Sequence, residues 1–147
     1  MMKNIFLFIF LTTCTVNLSA QAPMPKILNM QERAELRDEL LEERFETVLP
    51  DLMRRTGIDM WILIAREYNE DPVLKTMLPA TWLSARRRTI LVIYDQGEEK
   101  GLEALAIARY NVGSVFKKAW DKEKEPNQWK RLMEVIEERN PKKIGIN

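Results

Sequence analysis

Apolar positions along the middle of the chain change period twice, and the changes outline a fold. Leu41, Phe45, Val48 and Leu52 recur at steps of four, three and four, and Leu49 and Met53 widen the same face. That spacing predicts an amphipathic helix. Gly57 follows as the left-handed stop that a helix end favours. Ile58–Ala65 is then almost continuously apolar, the pattern of a strand covered on both faces. Thr89–Tyr94, rich in β-branched residues, predicts a second buried strand.

The segments around this block carry their own punctuation. Asn29 and Glu32 have capping-box spacing at the start of the first helix, whose charged residues from Glu35 to Arg44 form a solvated face. Pro50 has no N–H, so the helix must kink there or restart with Pro50 in its first turn. Asp71-Pro72 reads as N-cap and first-turn proline of a short helix that ends before Pro79. The polar stretch Asp95–Gly101 predicts a turn, so Leu102–Tyr110 reads as a strand closing a hairpin, although its alanine and leucine content also suits a helix. Val112–Trp120 is irregular or a short edge strand. Asn127 caps a helix with Trp129, Leu132, Met133, Val135 and Ile136 inward, Asn140-Pro141 ends it, and Lys142–Asn147 begins one more strand. The expected fold class is therefore α/β, a mixed β-sheet with helices packed against it.

Composition changes the picture at the amino end. Met1-Met2-Lys3-Asn4 is a short basic start, Ile5–Leu11 a compact apolar run, and Ala20-Gln21-Ala22 fits a small-residue cleavage pattern. Residues 1–22 read as a signal peptide, too short to span a bilayer permanently, with cleavage after Ala20 equally compatible because Pro23 follows Ala22. The protein is thus expected to be exported, periplasmic or secreted. Cys14 is the single cysteine; it sits within the leader, with a lipid-accepting lipoprotein cysteine as the alternative. No disulfide is then expected in residues 23–147, which suit one domain. Loss of Lys3 with the leader leaves 22 basic against 22 acidic residues, so net charge gives no case for nucleic acid or an anionic membrane as partner. No later stretch is long enough to span a membrane.

Candidate chemistry is defined first by what the 147 residues lack. There is no histidine, which removes the usual general base near neutral pH and the commonest metal ligand. Glu42-Glu43, Glu98-Glu99 and Glu137-Glu138 are adjacent acids that point apart and read as solvated surface. No glycine-rich phosphate loop or nucleophile elbow is present. Neither a catalytic residue nor a metal ligand is assigned. The substrate-facing candidates are Arg66, Glu67, Tyr68 and Asn69, because α/β sheets often present binding groups at the carboxyl ends of their strands; a plain turn and helix cap is the competing reading. Arg86-Arg87-Arg88 either steers an acidic group or is a strand entry whose charges pair with nearby acids, the simpler of the two. Trp82, Trp120 and Trp129 are either core or an interface patch.

The succession of a helix, "RTGIDMWILIAREYNEDP", a further helix and "SARRRTILVIYDQG" resembles the amino-terminal domain of creatinase, prolidase and aminopeptidase P-type enzymes, from about Arg44 to Asn147. The resemblance implies a mixed sheet with helices against it, preceding a separate catalytic domain. That domain would hold two divalent metal ions through two aspartates, a histidine and two glutamates, and cleave the bond before proline. The resemblance also implies a homodimer and loops that overhang the catalytic pocket, where a peptide substrate binds, although some relatives act on other substrates. The chain itself is then a non-catalytic piece of a longer exported Xaa-Pro aminopeptidase-like protein, with no cofactor of its own. A free-standing exported binding domain on the same scaffold is the alternative.

Overall fold

The computed structural model describes residues 26–68, 70–85 and 87–147. The expected leader, including Cys14, lies outside them, as do Asn69 and Arg86. Helix α1 (Met30–Glu43) runs through a π-helical turn (Arg44–Val48) into α2 (Leu49–Thr56). Strand β1 (Met60–Arg66), helix α3 (Pro72–Met77), strands β2 (Arg88–Asp95), β3 (Leu102–Ala106) and β4 (Lys117–Lys118), helix α4 (Gln128–Arg139) and strand β5 (Ile144–Ile146) follow. The sheet has strand order β4-β3-β2-β1-β5. β1 and β3 each pair antiparallel with β2, whereas β5 joins β1 and β4 joins β3 in parallel. The fold is α/β with a mixed five-stranded sheet.

Local chemistry explains most boundaries. Asn29 Oδ1 accepts from the Glu32 N–H at 2.9 Å while Glu32 accepts from the Asn29 N–H at 2.8 Å, the reciprocal cap read from the sequence. Gly57 ends α2 at φ 66°, Asp71 caps α3 by accepting from the Leu74 N–H, and Asn127 caps α4. Asp95–Gly101 closes the β2–β3 hairpin through the Gln96 N–H to Gly101 C=O bond, so the strand reading of Leu102 onward holds for Leu102–Ala106.

One inward stripe differs from expectation. Leu41, Phe45, Leu49 and Met53 are buried, whereas Val48 is 57% exposed and Leu52 only half-buried. Steps of four advance about 40° beyond a full α-helical turn, so three such steps would rotate the stripe away from the core. The wider π-helical turn takes up an extra residue and restores the phase. The Leu49 N–H reaches back to the Arg44 carbonyl there, and Pro50, which has no N–H to give, falls in the first turn of α2.

The sheet is buried on both faces. Leu63, Ala65, Leu91, Ile93 and Ala106 pack with Leu41, Phe45, Leu49, Met53 and Leu74 from α1–α3. On the other face Met60, Ile62, Ile90, Val92 and Ile107 pack with Leu132 and Val135 of α4. Trp129 and Met133, read as inward, are instead 43% and 53% exposed: a single helix over this face turns only one stripe to the sheet, and these two lie off it. Among the described residues no helix is long and apolar enough to cross a membrane.

Candidate binding cleft at the carboxyl end of β1

The β1–β2 ladder runs from Met60 opposite Tyr94 to Arg66 opposite Arg88, and one further bond extends it, from the Glu67 N–H to the Arg87 C=O at 2.6 Å. Beyond that bond both chains turn aside through left-handed residues, Tyr68 at φ 66° and Arg87 at φ 50°. Such backbone is costly for residues with a side chain, and here it holds two of them on the surface at one end of the sheet. Tyr68 is 89% exposed.

Arg66, Glu67, Tyr68, Arg87 and Arg88 line a shallow cleft of about 380 Å³ there. Three of the four sequence candidates thus meet in one place; Asn69 is outside the described residues. The loop behind them is tied down from both ends. Glu70 accepts from the Ala85 N–H at 2.9 Å, and Asp71 holds the start of α3 while also accepting from the Asn147 side chain. Asn147 in turn brackets Ile64, accepting from its N–H at 2.8 Å and donating to its carbonyl at 3.1 Å.

The arginine run does not behave as a strand entry neutralised by nearby acids. Among the described residues neither Arg87 nor Arg88 forms an ion pair; Arg88 stacks its guanidinium over the Trp129 ring, 4.8 Å from its centroid. The acids of this molecule are engaged elsewhere: Asp95 with Arg54, Glu103 and Glu138 with Arg139, Glu125 with Lys130. Two neighbouring depressions share Arg87. One is lined by Glu67, Trp82 and Leu83. The other, of about 300 Å³, adds Arg109, Tyr110, Trp120 and Lys122.

Arg109 and Lys122 were not picked out in the sequence, where they stand alone. The usable signal was topological, because an antiparallel β1–β2 pair brings whatever follows β1 next to whatever precedes β2. The tryptophans divide. Trp82 packs edge-on against Tyr110 with centroids 5.9 Å apart, Trp120 donates its indole N–H to the Glu125 carbonyl at 2.7 Å, and Trp129 remains half-exposed beneath Arg88.

Guanidinium groups so arranged are suited to hold a carboxylate or phosphate by paired N–H donors. A proton-transfer group for neutral pH is absent from the sequence, which has no histidine. Among the described residues no three His, Cys, Asp or Glu side chains are grouped so as to hold a metal ion. No family model matches the chain, and comparison with curated proteins and with solved structures returns no match.

Proposed function

We propose that this chain is the amino-terminal, non-catalytic domain of an exported Xaa-Pro aminopeptidase-like metallopeptidase of the creatinase and prolidase type. In this reading the Arg66–Asn69 loop borders the entrance to a pocket carried by the protein's own carboxy-terminal catalytic domain, within a homodimer. Two metal ions bound there would activate water for attack on the peptide bond. The resembling family's ligand set includes a histidine, which these residues cannot supply, so none of them is given a metal-binding role. The observation that supports the reading is the exposed cleft at the end of β1, where Arg66, Glu67 and Tyr68 project beside Arg87 and Arg88 without any group fit for the chemistry itself.

Tyr68 gives the sharpest test. Its backbone is left-handed, so Tyr68→Gly relieves strain that roughly offsets the extra freedom glycine gives the unfolded chain, and stability is expected to change by less than about 1 kcal/mol. In the full-length protein, Xaa-Pro peptide turnover with manganese should persist with a raised KM, because a contact at the pocket border is lost. An unchanged KM sinks the role given to the loop. Absence of any Xaa-Pro turnover by the unaltered full-length protein sinks the family reading.

A further inference from the structure

The same end of the sheet carries a feature that the entrance reading does not use. Arg66, Arg87, Arg88, Arg109 and Lys122 all lie at this end, all are exposed, and none has an ion pair among the described residues. The only carboxylate lining the two clefts they share is that of Glu67. The protein as a whole has a formal net charge of only +1, so this is a local concentration and not a general excess. The other arginines of the core-facing elements are satisfied: Arg54 by Asp95, Arg131 by Glu134 and Glu138, Arg139 by Glu103. The ladder even sets Arg66 directly opposite Arg88, a like-charge pairing that weakens a sheet unless an anion lies between.

We propose that this surface docks an acidic polypeptide segment. Its cations select the charge, and its other residues select a polypeptide over a bare polyanion. Tyr68 and Leu83 are 89% and 88% exposed, and Tyr110 and Trp129 are half-exposed among the arginines. Arginine interleaved with tyrosine and tryptophan is the composition of protein interfaces, where rings bury area and guanidinium groups bridge to carboxylates. Depressions of about 300 and 380 Å³ that share Arg87 and Arg88 fit side chains of an extended segment in succession, since each alone is at the small end for an enclosed ligand. The proposal does not rest on the metallopeptidase reading, and its test needs no catalytic domain.

The test is fluorescence anisotropy of the chain with a labelled short peptide alternating Glu with Leu, beside a Lys-Leu peptide and a thymidine oligonucleotide of equal charge. The Glu-Leu peptide should bind, with affinity falling as salt is raised. Arg87→Glu combined with Arg109→Glu should weaken it about tenfold or more. Arg55→Glu combined with Lys100→Glu, the same charge change at the far end of β1 and β2, should leave it within about twofold. Far-ultraviolet circular dichroism confirms the fold of each variant, and Arg87→Gln with Arg109→Gln, milder in charge, should weaken binding by an intermediate amount. Equal losses in both charge-reversed variants, no loss in the first, no binding of the Glu-Leu peptide, or tighter binding of the oligonucleotide would each overturn the proposal.

Discussion

At the residue scale, the best-defined electrostatic unit is far from the cleft. Arg54 reaches Asp95 through two parallel bonds, Nε to Oδ2 at 2.9 Å and Nη2 to Oδ1 at 3.0 Å, tying α2 to the end of β2. The Arg54 guanidinium, helped by the Gly97 N–H, holds the Asp95 carboxyl below its ordinary value against the opposing effect of burial. A depressed folded-state value means that the pair stabilises the fold fully above the ordinary aspartate pKa, about 3.9. That stabilisation is lost as pH falls through the lower folded value. Asp95→Asn should therefore lower the melting temperature at neutral pH, and the gap from the unaltered chain should close as the solution is acidified below that range. A gap that persists unchanged in acid would show that the carboxylate charge is not its source. Asp59 works by hydrogen bonding, its Oδ2 accepting from the N–H groups of Lys142 and Lys143 at 2.7 and 3.1 Å and so fixing the approach to β5. The Gly-Ile-Asp sequence was noticed as part of a motif, but this use of its aspartate was not legible, because its partners are more than eighty residues away.

At the scale of elements, caps and turns were readable because their chemistry is local: a side chain and the N–H groups two or three residues on suffice for Asn29, Asp71 and Asn127. The helix stripe was not fully readable, because α-helical periodicity assumes one pitch and the chain changes pitch at Arg44–Val48. This yields a test in which two adjacent residues behave oppositely to the α-helical reading. Val48→Lys, at an exposed site, should change stability by no more than about 0.5 kcal/mol. Leu49→Ala, at a residue 2% exposed, should cost about 2–5 kcal/mol. Chemical denaturation of both variants measures the difference. Similar losses in the two would mean that the helix keeps a single pitch and that Val48 faces the core.

At the scale of the whole molecule, the two-sided burial of the sheet was foreseen from the unbroken apolar run of β1, and the basic cluster was not, since it is assembled from four separate stretches of chain. The distribution of acids carries the last prediction. Dinuclear sites of the resembling family need five converging ligands including a histidine, and the 147 residues contain none. The carboxylates that the fold holds firmly are already committed: Asp95 to Arg54, Glu103 to Arg139, Asp59 to two backbone N–H groups, Asp71 to the cap of α3. Freeing any of them for a metal would leave a partly buried donor without its acceptor, a cost of about 1–3 kcal/mol each. Residues 23–147 should therefore fold cooperatively from their own two-faced core and yet hydrolyse no Xaa-Pro dipeptide in the presence of manganese, cobalt or zinc. A coupled assay for released proline reads this directly. Metal-dependent turnover that co-purifies with the folded chain would require a site built from carboxylates alone, and it would overturn the assignment of this domain as a scaffold whose chemistry lies in another part of the protein.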